Sequence, residues 1–460
     1  MTATTITRLD LLRARMSGTT AGQMPGHIQR LGWSAGQLAA FQRDRLRALL
    51  ARAIERSPFH AARLRGLDPA RFELTDLARL PVMTKAQMME NFGSAVTDRR
   101  LSRDLVEQHL AGSVTEPSLL LGDYVCLVSG GSSGLRGIFV QTVAEYADFA
   151  CTINRRPMAA ALASGGLPPE GLVIGIVGAG SPVHSSGLAA ATATAPPVRL
   201  ISAPASLPTA EIVRRLNAAQ PPALMAYAAK LAELAREQRA GRLRLRLRSV
   251  VSNSEALSPA ERTAVGDAFG VPVIDLFVYT EGLVGRSEPG SPVLTFASDT
   301  CLAECVDDDG QPVPDGVASS KVLVTNLHNL TQPLIRYELT DRFTPSAPSP
   351  GGFLRASVQG RSDDLFRYDR AAVHPFVIGA ALLHAPAVRE FQVRQTERGA
   401  DVAAVIDGDL DLAPVAAGIT GSLRRAGLPS PQVSIRRVEA LDRDPLTGKA
   451  RRFIPLGPAG

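Results

Sequence analysis

Val128-Ser129-Gly130-Gly131-Ser132-Ser133-Gly134-Leu135-Arg136-Gly137 is the stretch on which the reading of this 460-residue chain turns. Apolar runs of strand length flank it, Tyr124–Val128 before and Ile138–Gln141 after. Glycines permit positive φ and close backbone approach. Successive N–H groups in such a loop form an anion-binding concavity, to which serine hydroxyls add donors. A polyphosphate suits that chemistry. A flexible hairpin turn is the plain alternative, and the loop alone does not separate the two. A Walker A loop is excluded, because Gly-Lys-Ser/Thr is missing and a strand rather than a helix follows. Gly175-Ile-Val-Gly178-Ala-Gly180 runs G-x-x-G-x-G with no helix signal after it, so no dinucleotide fingerprint is expected there.

Outward from the loop, strands and helices alternate. Thr142–Asn154 reads as a helix, Leu172–Val177 as a buried strand, Ile212–Asn217 as part of a helix, and Ser249–Val251 and Val273–Phe277 as two more strands. That alternation predicts an α/β layered core with parallel strands. Upstream, the apolar spacing predicts one amphipathic helix over residues 35–64, with Pro58 ending the pattern, and Thr84 as an N-cap before Lys85. Residues 300–340 predict antiparallel strands, Leu302–Val306 and Val322–Thr325, around an Asp307-Asp308-Asp309-Gly310 turn. That turn lacks the spacing and closing glutamate of a calcium loop. Val393, Val402–Ile406 and Val433–Ile435 predict a separate small α+β domain, with the boundary near Asp363.

Composition narrows the classes. Hydrophobic residues are 45% and charged residues 20%, which predicts a folded rather than disordered chain. No apolar run is long enough for a membrane helix, and residues 1–16 carry no signal-peptide core. Cytosolic free thiols are expected for Cys126, Cys151, Cys301 and Cys305, and the Cys301/Cys305 pair lacks the partners of a zinc site. The net charge of +6 is spread along the chain, and the Arg-Leu alternation over 242–247 predicts an edge strand or helix end with one wet face, so no nucleic-acid partner is expected. Lysine occurs only at Lys85, Lys230, Lys321 and Lys449, against 46 arginines. Each lysine is therefore a position that arginine did not take.

Read in order, the motifs resemble the adenylate-forming superfamily, within it the phenylacetate–CoA ligase-like branch, over nearly the whole chain. Ser57-Pro58-Phe59-His60 and Leu80-Pro81-Val82-Met83-Thr84-Lys85 resemble that branch's first segment. Its phosphate loop falls on Gly130 to Arg136, with Ser132 and Ser133 for the threonines, Gly131 and Gly134 for the glycines, and Leu135 where the family has lysine; Ser129 and Gly130 are counted with the nucleotide-binding residues. Pro182-Val183-His184-Ser185-Ser186-Gly187 resembles the segment bordering the acyl pocket. Asn253-Ser254-Glu255 resembles the adenine-site Gly-Ala-Glu. Asp275-Leu276-Phe277-Val278-Tyr279-Thr280-Glu281 resembles Asn-x-Tyr-Gly-x-Thr-Glu. Arg336-Tyr337-Glu338-Leu339-Thr340-Asp341 resembles the ribose-binding motif, Gly360-Arg361-Ser362-Asp363-Asp364 the hinge, and Asp444-Pro445-Leu446-Thr447-Gly448-Lys449 the C-terminal Gly-Lys motif.

The resemblance implies a large multi-sheet α/β adenylation domain over 1–362 and a small mobile α+β domain over 363–460. It implies ATP-dependent activation of a small-molecule carboxylic acid, aromatic or heteroaromatic by analogy, to an acyl-adenylate. Transfer to coenzyme A would follow, in the cytoplasm, with a homodimer as one assembly it allows. In this implied site Phe277 stacks on adenine, with Tyr279 beside it. Thr280 bonds a phosphate oxygen, Glu281 holds Mg²⁺, Asp341 and Arg361 take the ribose and phosphate, and Asp363 is the pivot. Lys449 contacts the carboxylate and α-phosphate, while His184, Tyr227 and Gly282 border the acid. Arg370, where the family has a glycine near the pantetheine path, leaves an amine or a carrier-protein thiol open as acceptor. Leu135 leaves open a nucleotide-binding protein with weakened catalysis.

Overall fold

The computed structural model describes residues 7–129, 136–255, 257, 259–361, 366–369, 371–373, 378, 382, 385, 387–444 and 449–456. The strands either side of the glycine-serine loop, β1 (Tyr124–Val128) and β2 (Ile138–Thr142), pair antiparallel from Tyr124↔Thr142 to Val128↔Ile138. The loop's neck is closed by Ser129, whose N–H donates to the Gly137 carbonyl at 3.0 Å and whose Oγ accepts from the Gly137 N–H at 3.0 Å. Gly130, Gly131, Ser132, Ser133, Gly134 and Leu135 lie outside the described residues, as do Asp363 and Arg370.

The main sheet has a parallel heart. β3 (Leu172–Val177), β5 (Val198–Ser202), β6 (Ala223–Tyr227), β7 (Ser249–Asn253) and β8 (Val273–Val278) run parallel in the order β5-β3-β6-β7-β8, with β4 (Thr194–Ala195) on the β5 edge. Beyond β8 the sheet turns antiparallel through β9 (Val284–Ser287), β10 (Val293–Phe296), β15 (Arg355–Arg361) and β14 (Asp341–Ser346). Parallel strands need cover on both faces. Helices Thr209–Ala219, Ala228–Arg239 and Pro259–Phe269 cover one face, packing Ile212, Leu231 and Val265 on Leu224 and Val250. Helices Arg8–Arg30 and Val143–Ala163 cover the other, with Met16, Tyr146 and Phe149 on Val251 and Leu276. A second sheet joins β11 (Cys301–Val306), β12 (Lys321–Asn326) and β13 (Tyr337–Leu339).

After a short pair, β16 (Phe366–Tyr368) and β17 (Ala371–Val373), the chain builds a further sheet. It joins β18 (Val388–Thr396), β19 (Gly399–Ile406), β20 (Gln432–Arg437) and β21 (Phe453–Ile454), with helix Ala413–Arg425 packed on it. Phe391, Val393, Val402, Ile419 and Phe453 form its own core. It meets the large unit through charges: Arg452 pairs with Glu261 at 3.1 Å, and the Arg236 guanidinium donates to the Arg389 carbonyl at 3.3 Å.

Three expectations are corrected. The helix predicted over 35–64 is two helices, Ala35–Arg56 and Pro58–Arg63. Ser57 caps the second and Pro58 opens it, since proline's missing N–H and fixed φ suit the first helical turn. The helix predicted to end at Asn154 runs to Ala163 with Pro157 inside it. The Arg-Leu run is neither strand nor helix end. Leu243, Leu245 and Leu247 are buried and the arginines between them exposed, but the backbone of Arg242, Arg244 and Leu245 bonds the side-chain amides of Asn217 and Gln238 rather than a strand. The four cysteines are buried free thiols, and no described helix is long and apolar enough to cross a membrane.

Candidate active site

The C-terminal ends of β6, β7 and β8 open onto one cavity of about 2140 Å³, walled on the far side by the Lys449 segment. Brought together on its wall are Ser129, His184, Tyr227, Asn253, Ser254, Glu255, Phe277, Tyr279, Thr280, Glu281, Asp341, Arg361 and Lys449. Two predicted site residues stand apart. Arg136 is exposed at the loop's end, off the wall. Gly282 is buried behind Glu281, where its φ of +103° and a Cβ position only 2.1 Å from Asn326 Nδ2 require glycine.

That glycine aims the acid. After β8 the chain turns back, the Gly282 N–H donating to the Tyr279 carbonyl at 2.9 Å and the Tyr279 N–H to Leu283 at 2.9 Å. Asn326 Nδ2 donates to the Glu281 carbonyl at 2.8 Å, clamping the turn against β12. Glu281 is 2% exposed. Burial raises its carboxyl pKa, the Lys85 ammonium and Arg361 guanidinium oppose that, and the Asp341 charge adds to it. The Tyr337 hydroxyl is buried without a hydrogen-bond partner, its pKa raised first by burial and then by the Glu281 charge.

Lys85 closes one of the family-like segments, yet the resemblance gave it no site role. Thr84 caps its helix, accepting from the Gln87 N–H at 3.2 Å, and Met83 adds beside β13 through bonds of 2.9 Å to Arg336 and Glu338. These contacts fix Lys85 on the cavity wall, facing Glu281. The signal for it was lysine's rarity. Lys230 and Lys321 pair with Glu233 and Glu338 at 2.8 and 3.0 Å, whereas Lys85 and Lys449 both line the cavity.

Opposite Glu281, Asp341 accepts from the Tyr279 hydroxyl at 2.6 Å and lies in register with Arg361. Arg361 also donates to Thr340 Oγ1 at 2.8 Å. The Tyr279 ring stacks on Phe277, centroids 4.9 Å apart, so Phe277 reaches the cavity with one face already covered. Arg336, in the same motif, is structural: it donates to the Ala78 and Leu80 carbonyls at 2.9 and 2.7 Å and pairs with Glu304.

At the end of β7, Ser254 takes a φ of +63°, and Glu255 accepts from the Ala229 N–H at 2.9 Å at the start of helix Ala228–Arg239. Asn253 Oδ1, Ser252 Oγ and His184 Nε2 are buried without partners on this wall. Orphaned buried polar atoms are rare and costly, so a polar ligand fits here. Burial lowers the His184 imidazole pKa, opposed by the Val128 carbonyl. Burial lowers the Lys449 ammonium pKa, opposed by the Glu255 and Asp444 carboxylates. The Lys449 carbonyl accepts from the Asp444 N–H at 2.9 Å. Among the described residues no three metal-ligating side chains gather into a cage. The buried carboxylate of Glu281 would suit Mg²⁺, which keeps water and substrate phosphates as its other ligands.

No protein-family model and no curated protein sequence matches the chain. Solved structures do. A 2-hydroxyisobutyryl-CoA ligase in its postadenylation state, in complex with 2-HIB-AMP, matches with a TM-score of 0.68 at 18% identity, over 92% of this chain and 90% of that one. In its open and thioesterification states the same ligase matches at 0.54 and 0.57. The anthranilate CoA ligase AuaEII in complex with anthranoyl-AMP matches at 0.50 with 20% identity, over 71% of this chain and 65% of that one. This chain has the fold of the adenylate-forming CoA ligases.

Proposed function

We propose that this chain activates a carboxylic acid with ATP to an acyl-adenylate and passes the acyl group to coenzyme A. The observation that carries the reading is that Lys449, from the far C-terminal segment, and Glu281, from the turn between β8 and β9, line one cavity with Asp341 and Arg361 between them in sequence. Their residue types match what in-line attack on a nucleotide needs: positioning and charge neutralisation.

In the first step a carboxylate oxygen attacks the α-phosphorus, and the bond to the β-phosphate breaks to release pyrophosphate. Asp341 accepts from the ribose hydroxyls, Asn253 and Phe277 flank the base, and Ser129 and Thr280 reach the phosphates. Mg²⁺ held by Glu281 would neutralise the polyphosphate. Lys449 brings its ammonium to the carboxylate and α-phosphate as a compact point charge. In the second step the CoA sulfur attacks the acyl carbon, AMP leaves and the thiol proton is lost. Residues 363–460 turn about Asp363 between the steps, a hinge motion that takes Lys449 out. The higher similarity to the postadenylation state than to the open and thioesterification states, with Lys449 on the cavity wall, supports an adenylation-stage arrangement here. The cytoplasm, where ATP and CoA are at hand, is the compartment we propose.

Acid-dependent exchange of pyrophosphate into ATP tests the first step, and an acyl-CoA mass after adding CoA tests the second. Exchange without thioester would move the acceptor to an amine or carrier thiol. Absence of exchange with every acid of a broad panel would sink the enzymatic reading.

A further inference from the structure

The face of helix Val143–Ala163 that points at the sheet does not fill the space above it. Tyr146, Ala150, Ile153, Pro157, Ala161 and the cap Ser164 recur at helical spacing and line the same cavity as Lys449 and Glu281. Past Ile153 the stripe is small, with proline, alanine and serine where a packed helix carries bulk. Opposite, Ile174 of β3 and Met225 of β6 are only partly buried although their strands lie inside the sheet, as is Leu200 of β5 beside the two-residue edge strand β4. Strands covered by helices on both faces ordinarily bury such side chains completely. One layer of side chains is missing.

The gap is continuous and long. Its wall starts at Tyr227 and Asn253, where the strands end beside the nucleotide site, and reaches Gly171, Pro222 and Arg248, where β3, β6 and β7 begin. That is the full length of a strand, about 17–20 Å. Exposed Glu170, Arg199 and Arg248 mark an outlet to water at the far end. The helices are held at their distance. Arg155 grips buried Asp299 with bonds of 2.6 and 2.7 Å, and Arg30 of the neighbouring helix takes the same carboxylate at 2.7 Å. An apolar gap that does not collapse forgoes both burial and dispersion, which a ligand would restore.

We propose that this channel takes the tail of the substrate, so that the acid is one whose carboxylate is followed by an extended apolar chain. The proposal rests on the adenylation reading for the place of the carboxylate, beside Lys449 and Tyr227. A compact aryl acid fills only the part next to His184 and Tyr227.

Two measurements on the full chain test it. Acid-dependent pyrophosphate exchange is run with acetate, hexanoate, decanoate and tetradecanoate, and with benzoate as the compact control. Binding of cis-parinaric acid, followed by its fluorescence, reports the channel without requiring chemistry. KM should fall about fourfold for each methylene that enters the channel, until it is full. Parinarate should bind and be displaced by tetradecanoate. Ala150→Phe and, separately, Ile174→Phe should lower the preference for tetradecanoate over hexanoate by about tenfold, and the second variant serves if the first does not fold. Exchange with benzoate alone, with no parinarate bound, overturns the channel and leaves adenylation standing. Parinarate binding that both variants weaken, with no exchange from any acid, supports the channel and overturns the adenylation reading.

Discussion

The Lys449 ammonium lies 4.8 Å from the centre of the Tyr227 ring, so a residue near the end of the chain rests on the C-terminal end of a central strand. Lys449→Ala should cut pyrophosphate exchange on the order of a hundredfold or more, as loss of a transition-state charge contact does. Transfer from a preformed acyl-adenylate to CoA should survive. Burial holds the Lys449 pKa below the ordinary lysine value. Exchange needs the ammonium, so it should fail as pH rises through that lowered pKa. Lys449→Arg should remove this basic limb, and a profile with no such limb in the native enzyme would contradict the assignment.

Glu281 sets the opposite limb. Its pKa is raised, chiefly by burial, and metal binding needs the carboxylate. Exchange should therefore fall as pH drops through a value above the usual glutamate range. Stability has the opposite sign. Without Mg–ATP, the protonated form is favoured in the fold, and stability declines as pH rises through the folded pKa. Glu281→Gln should raise the neutral-pH Tm of the unliganded protein while abolishing exchange. A lowered Tm would show that the carboxylate has a structural cation.

Lys85 supplies the largest charge opposing burial at Glu281. Lys85→Met should raise the KM for ATP and move the acid limb of exchange to higher pH, and Lys85→Arg should restore part of both. An acid limb that stays in place in Lys85→Met would remove Lys85 from the site.

At Gly282, an added Cβ meets the Asn326 amide at 2.1 Å on a φ of +103°. Gly282→Ala should cost about 2–3 kcal/mol, from backbone strain and displacement of Asn326. Urea unfolding should show the loss as a lower midpoint with an unchanged slope.

Much of this was legible in the chain because of where residue types fall. A carboxylate at Glu281, at the end of an apolar strand, demands a partner. A lysine at Lys449, in a chain that otherwise writes arginine, demands a reason. Register errors arose where local bonds substitute for regular structure. Asn217 and Gln238 do the work of a neighbouring strand for the Arg-Leu run, and Ser57 restarts a helix at Pro58. The long gap under helix Val143–Ala163 was not legible. Periodicity tells which face of a helix turns inward, not how far from the sheet it stands. That distance is set by Arg155 and Arg30 meeting on Asp299, residues more than a hundred positions away in sequence.

Arg452 follows Lys449 by three residues and holds Glu261 at 3.1 Å, partly exposed to water. In the proposed hinge motion the contact that seats the segment and the Lys449 ammonium leave together. Ion pairs open to solvent weaken as salt rises. Ionic strength should therefore act on the two half-reactions with opposite sign, slowing adenylate formation and easing the departure that thioester formation waits for. The salt at which the overall turnover peaks would mark where seating and release are balanced.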